Sequence, residues 1–312
     1  MLLSPQEQHI GLALSFGAAR SGWRETAEGA SLELAVPLLT ARGAAPVLAG
    51  LVPAGEAGPL RLFRCPGWLA GVAVVPARFP LEEPTFEIYR HVFAAVRGLH
   101  LVRLWNYVPA INSTAHGVEN YRSFCSGRAR AFAEAFGVDS HRQMPAASAV
   151  GTYDETLVIA FLATEAAPRH FENPAQVPAW CYPVEHGPRP PSFARATAVR
   201  VAGENWYFVS GTSAIKGHAT IGTGEIEAQV RCTLDNLRLI STTLGLGPDF
   251  STPGLQARAY RVYLRDPADQ ALTLRWLKES LLREGDSYVC LQADICRAAL
   301  GVEIEVAVQA GA

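Results

Sequence analysis

The chain lacks the short signatures of several large enzyme classes. It contains no Gly-x-x-x-x-Gly-Lys-Ser/Thr loop and no Gly-x-Gly-x-x-Gly, so neither a nucleoside-triphosphate cradle nor a dinucleotide fingerprint is present. His-Glu-x-x-His is absent too, and the histidines at 9, 91, 100, 116, 141, 170, 186 and 218 show no ligand spacing, so no metal site is expected. Charge is scarce, at 18% of residues, and nearly balanced, with a net charge of −2. That excludes a bulk electrostatic grip on nucleic acid or on an anionic membrane. None of the six cysteines forms a Cys-x-x-Cys pair, which points to reduced thiols in a cytoplasmic protein. The opening "MLLSPQEQHI" has no basic head or long apolar core, and no later run approaches a membrane span.

What the chain does have is apolar bulk: 49% of 312 residues, enough for a large buried core and for two or three modest domains. Residues 171–193, "FENPAQVPAWCYPVEHGPRPPSF", carry six prolines and read as an extended surface linker. The regions on either side share one order of elements. Residues 60–170 offer strands at "RLFRC" and "LAGVAVVP", a helix near 83–98, a strand "HLVRLWNYVP", a helix near 118–136, and strands at "MPAASAVG" and "TLVIAFLAT". Residues 194–312 offer strands at "TAVRVAG" and "NWYFVSGTSAI", a helix near 225–244 and a strand "QARAYRVYLRD". A helix opening at Pro267 with Asp266 as its cap follows, then strands at "SYVCLQADIC" and "GVEIEVAV". Each unit is β-β-α-β-α-β-β, a mixed sheet backed by helices, which places the fold in the α+β class. Residues 1–59, with weak strand signals at "SLELAVPLLT" and "APVLAGLVP", read as a smaller N-terminal unit.

Three places break the apolar patterns. On the helix "GVENYRSFCSGRARAF", Tyr121, Cys125, Arg128 and Phe132 step by four, three and four and share one face. An inward guanidinium needs an anion, either an internal carboxylate or a ligand's. On "RAYRVYLRD", Arg261, Tyr263 and Arg265 form the face opposite Tyr260, Val262 and Leu264; it either meets water or lines a cleft and holds an anion. In "GVEIEVAV", Glu303 and Glu305 share the polar face of the last strand. Such acids usually face water, but at a junction between units a desolvated carboxyl would stay protonated and could act as a general acid. Cys296 lies near the entrance to that strand with no adjacent base. The loop "SGTSAIKGH", with Gly211 and Ala214, would let backbone approach a ligand closely.

Over residues 60–312 the segments "LWNYVPAIN", "GVENYRSFCSGRARAF", "YPVEHGPRPPSFARA", "FVSGTSAIKGH" and "GVEIEVAV" resemble, in the same order, the chorismatases, enzymes that hydrolyse chorismate in bacterial secondary metabolism. The terminal segment also resembles the wider RidA/YjgF superfamily. The resemblance implies RidA-like (chorismate mutase-like) domains in a pseudo-threefold arrangement within one chain, and hence a monomer. It implies a site between the central and C-terminal domains, chorismate as substrate, and loss of the enolpyruvyl group as pyruvate without a cofactor. Glu303 then aligns with the catalytic glutamate, with Glu305 as the fallback. Arg128, Tyr121 and the Arg261/Tyr263/Arg265 face become candidates to hold the two carboxylates. Hydroxybenzoate-forming members resemble this chain in having cysteine at the position of Cys296, where diene-diol formers carry a smaller residue. At Ala214 this chain departs from the glycine of the hydroxybenzoate type. The implied product is 3-hydroxybenzoate, with or without 4-hydroxybenzoate, and the dihydroxycyclohexadiene carboxylate is the alternative. An imine deaminase using Arg297, a non-catalytic small-molecule binder on the same scaffold, and a structural interaction protein are the competing readings.

Overall fold

The computed structural model describes residues 11–26, 29–43 and 50–311. The readings made on "MLLSPQEQHI" and on residues 45–49 of "APVLAGLVP" fall outside them.

The described chain opens with three short strands, β1 (Gly11–Phe16), β2 (Gly22–Thr26) and β3 (Gly29–Leu34), which form a small sheet in the order β1-β3-β2. The next two strands, β4 (Leu38–Arg42) and β5 (Val52–Ala57), leave that sheet and extend the edges of two larger ones. The central unit then runs β6 (Leu60–Cys65), β7 (Trp68–Pro76), α1 (Glu82–Ala95), β8 (His100–Pro109), a two-residue-strand hairpin β9 (Thr114–Ala115) and β10 (Val118–Glu119), α2 (Asn120–Phe136), β11 (Ala146–Thr152) and β12 (Thr156–Thr164). Its sheet order is β11-β8-β12-β7-β6-β5.

After β13 (Arg169–Phe171) and the proline-rich segment, the C-terminal unit repeats the plan. It runs β14 (Ala196–Val201), β15 (Glu204–Ser213), a hairpin β16 (Ile215–Lys216) and β17 (Ala219–Thr220), α3 (Ile226–Thr243), β18 (Leu255–Leu264), α4 (Gln270–Ser280), β19 (Ser287–Gln292) and β20 (Val302–Ala310). Its sheet order is β13-β14-β15-β20-β18-β19-β4. The repeat extends to strand direction. β11 pairs parallel with β8 and β8 antiparallel with β12, as β19 pairs parallel with β18 and β18 antiparallel with β20. The α+β class and the doubled β-β-α-β-α-β-β order expected from the apolar pattern are therefore what the chain forms. The α4 entry also matches: the Asp266 carboxylate accepts from the Ala268 N–H at 2.9 Å and starts the turn at Pro267.

Each large sheet is covered by its helices on one face. α1 and α2 pack closely enough that a Cβ on Gly127 would lie 2.1 Å from the Glu82 carbonyl oxygen, so a larger residue there would force the pair apart. The other faces meet the small sheet in shared cores. One joins Leu32 and Leu34 of β3 to Val72, Tyr107 and Val158 of the central sheet and to Tyr263 and Leu291 of the C-terminal sheet. The polar side chains on these inner faces are consequently buried between sheets, where they must be paired or serve a ligand.

The proline-rich segment departs from the surface linker expected of it. Asn173 and Gln176 are buried, with the Asn173 amide donating to the Asn236 carbonyl at 2.9 Å and the Gln176 amide to that of Ile215 at 3.0 Å. Proline removes backbone donors, and here side-chain amides supply the missing links to the C-terminal unit.

Candidate active site

The site is built from the pairing of β15 with β20. The register shifts between Val209 and Thr212, and Gly211 lies in that irregularity, close to Glu303 on the opposing strand. A Cβ on Gly211 would sit 1.9 Å from Glu303 Oε1, so the carboxyl occupies the space a side chain would take. Glu303 is 3% exposed, and its Oε1 has no hydrogen-bond partner among the described residues. Burial, and then the negative charge of Glu305, push its carboxyl up to about 8, against a smaller opposing pull from Arg103. At neutral pH such a group favours its protonated form.

A cleft of about 490 Å³ opens beside this carboxyl, walled by α2, the proline-rich segment, β15 and the loop before β20. It narrows to a small inner recess bordered by Tyr121, Arg128, Ser148, Phe193, Cys296 and Glu303. Arg128 is 1% exposed. It rests over the Phe124 ring, 5.0 Å from its centroid, and beside the Tyr89 hydroxyl. No carboxylate of the described residues lies in salt-bridge range, and Nε and Nη2 are buried without partners. A guanidinium desolvated in this way is a preformed receptor for an anion.

Glu305 is the opposite case. It faces the same side of β20 but is met by Arg103, by Arg261 Nη1 at 2.7 Å, by the Ser148 hydroxyl at 2.8 Å and by the Trp105 indole N–H at 3.2 Å. Burial raises its pKa, but Arg103 and Arg261 outweigh that and hold the carboxylate below its ordinary range. Arg103, on β8, was not singled out from sequence. Its signal was present, as a lone cation flanked by Leu101, Val102 and Leu104 on an apolar strand.

Of the residues singled out from sequence, Tyr121, Gly211, Cys296 and Glu303 line the cleft, and Arg128 joins them in the recess. The Arg-Tyr-Arg face of β18 is placed elsewhere. Arg261 and Tyr263 turn toward Glu305, and the Tyr263 hydroxyl donates to it at 3.5 Å. Arg265 pairs with Asp294 and donates to the carbonyls of Leu300, at 2.9 Å, and Arg297, at 3.1 Å, bracing the loop before β20. Ala214 is fully buried among Ile215, Cys232, Ile295 and Leu300, behind the cleft wall. Cys296 does face the recess, but burial and then Glu303 push its thiol up to about 12, so it is a neutral thiol at physiological pH.

The structure adds Arg195, which sequence reasoning passed over, and gives Arg297, considered from sequence only for an imine deaminase, a place in the same cleft. Arg195 is held by the Val177 carbonyl at 3.0 Å and the Tyr182 hydroxyl at 2.8 Å. Arg297 donates through Nη1 to the His218 carbonyl at 2.8 Å and to Thr220 Oγ1 at 3.1 Å, leaving Nη2 buried and unpartnered. Both line the cleft, with Tyr182, Glu185 and His186 of the proline-rich segment. That segment's composition signalled only irregular backbone.

A carboxyl shifted toward its protonated form and a guanidinium without a carboxylate partner among the described residues thus face one recess between two helix-backed sheets, an arrangement able to donate a proton to a small anionic molecule. Comparison with known proteins bears on the family. A model described as chorismatase FkbO/Hyg5-like, N-terminal, matches residues 48–163. A chorismatase of Streptomyces rapamycinicus is 38% identical over 252 residues, covering 78% of this chain and 75% of that protein. A protein of Streptomyces hygroscopicus named 3-hydroxybenzoate synthase is 37% identical over 219 residues, covering 65% of this chain and 62% of that protein. A crystal structure of a chorismatase superposes with a TM-score of 0.81 at 28% identity, covering 98% of this chain and 95% of that one. The chain belongs to the chorismatase family.

Proposed function

We propose that the chain converts chorismate to pyruvate and 3-hydroxybenzoate, with Glu303 as the proton donor. The observation that carries the reading is the pairing, in one recess, of a carboxyl shifted toward its protonated form with a buried cation that has no counter-charge among the described residues. Chorismate is a dianion with an enolpyruvyl ether. Arg128 receives one carboxylate in the recess, and the free Nη2 of Arg297 receives the other nearer the mouth. Glu303 gives its proton to the ether's methylene carbon. The double bond supplies the electron pair, and an oxocarbenium ion forms beside the new Glu303 carboxylate, which stabilises it.

The oxocarbenium form makes pyruvate a leaving group. The neighbouring ring hydroxyl attacks the ether-bearing ring carbon, loses its proton to the Glu303 carboxylate and expels pyruvate, leaving a three-membered ring oxide. Opening of the oxide at the former hydroxyl carbon and loss of the ring proton give 3-hydroxybenzoate with no net water. Capture of the oxocarbenium ion by water instead yields the diene-diol. The neutral Cys296 thiol lies against the reacting region and restricts water there, which favours the first course. Holding three elements of one reaction in a fixed geometry is itself worth several kcal/mol. Among the described residues no helix is long and apolar enough to cross a membrane. The six cysteines are free, which suits a reducing cytoplasm, and one chain already buries the small sheet and the two large sheets against each other, which suits a monomer.

The test is chromatography of products after incubation with chorismate, alongside a pyruvate assay. Pyruvate with 3-hydroxybenzoate is expected. Ammonia release from an imino acid, without pyruvate from chorismate, would refute the reading in favour of a deaminase.

A further inference from the structure

Three side chains outside the proposed chemistry converge at the cleft mouth. His186 ends a short 3-10 turn, Val184–His186, in the proline-rich segment, and Glu185 precedes it. His218 occupies the tip of the β16–β17 hairpin, after Gly217, whose φ of +56° turns the chain. His186 Nε2 lies 3.1 Å from His218 Nδ1, and Glu185 Oε1 lies 3.5 Å from each of those nitrogens. In a tetrahedral zinc site with bonds of 2.0–2.1 Å, neighbouring donor atoms are separated by roughly 3.3–3.4 Å. The three donors are spaced as the corners of such a face.

The two segments are also fixed independently of any ion. Gly217 exchanges backbone hydrogen bonds with the proline-rich segment, its N–H donating to the Ala175 carbonyl at 2.8 Å and its carbonyl accepting from Val177 at 2.9 Å. The Arg297 guanidinium anchors the His218 carbonyl, and the Tyr182 ring packs 5.3 Å from the His186 ring. Glu185 is exposed and both imidazoles are partly so, leaving a route for an ion from solvent. The neighbouring cations are Arg297 and Arg122, and Arg122 is engaged by Glu119 at 3.1 Å.

We propose that Glu185, His186 and His218 bind one divalent transition-metal ion of the zinc type at the mouth of the cleft. Three protein donors leave a fourth position for water or for an anion in the cleft. Because the set lies at the entrance rather than beside Glu303, the ion would govern passage and not the proton transfer.

The experiment is titration of the full chain with Zn(II) by calorimetry, repeated with Co(II) by visible absorption. One Zn(II) per chain is expected, with the intense d–d bands of four-coordinate Co(II). Binding should be lost in His218→Ala and, independently, in Glu185→Gln, with circular dichroism unchanged. It should persist in Cys181→Ser, which removes the exposed thiol. No binding to the wild-type chain would overturn the proposal, leaving a simple imidazole–imidazole hydrogen bond. Binding that survives His218→Ala, or that vanishes in Cys181→Ser, would overturn it too by placing the ion elsewhere. Because each readout is metal binding, failure here is distinguishable from failure of chorismate turnover.

Discussion

Glu303 and Glu305 lie two residues apart on one face of β20, yet one is held protonated and the other ionised. The difference is in what faces them. Glu305 looks across to Arg103 of the central sheet and Arg261 of its neighbouring strand, whereas Glu303 looks into a recess with an unsatisfied Oε1.

Glu303→Gln should therefore lower pyruvate release by about 10²- to 10⁴-fold, the usual contribution of a positioned general acid, while leaving the fold and chorismate binding intact. Stopped assays of pyruvate alongside equilibrium binding check both halves. Retained turnover in this variant would reassign the acid.

Glu305→Gln should behave differently. Removing one member of a buried ionic cluster leaves Arg103 and Arg261 uncompensated, at a cost of about 3–5 kcal/mol, seen as a lowered urea midpoint. The sign with pH is fixed by the depressed folded-state pKa: Glu305 stabilises the fold above its unfolded-state value, and that stability is lost as pH falls through the folded one.

The proton on Glu303 gives a second pH signature. Its carboxyl is raised to about 8, so kcat/KM for pyruvate release should fall as pH rises through that value, because the donor form is the acid. Its folded-state stability contribution is present below the unfolded carboxyl value and disappears over the same upward passage. Glu303→Gln cannot ionise, so unfolding curves at high pH should show it gaining on the wild type.

Gly211→Ala places a methyl group where the Glu303 carboxyl now sits. The carboxyl must move out of its position, and pyruvate release should drop nearly as far as in Glu303→Gln. Arg128→Ala acts on binding instead: loss of a charge-assisted contact of about 1.5–3 kcal/mol should raise KM roughly 10- to 100-fold. Unchanged KM would leave Arg128 a structural cation.

Cys296→Ala enlarges the recess without removing the acid. Pyruvate release should continue while the aromatic product gives way to the diene-diol, as read by chromatography. A product ratio identical to the wild type would deny Cys296 any part in excluding water.

Periodicity, with the Asp266–Pro267 cap signal, was enough for the doubled β-β-α-β-α-β-β order, for the four helices of the described residues and for the shared face of Glu303 and Glu305. Those features follow from spacing along a strand or helix, which is local. The motif order likewise carried the family. Which of two neighbouring acids keeps its proton was decided only when β20 met β8 and β15, because desolvation and counter-charge come from residues far away in sequence. Arg103, about two hundred positions upstream of Glu305, neutralises one acid, and Gly211 makes room for the other. The same holds for the arginines. Sequence placed Arg128 as an interruption of an apolar helix stripe and Arg261 on the polar face of a strand, and left open for each whether it meets a carboxylate of the protein or of a ligand. Tertiary packing gave Arg261 a carboxylate and left Arg128 without one among the described residues, and a charge stays available to a ligand only where the fold supplies no partner.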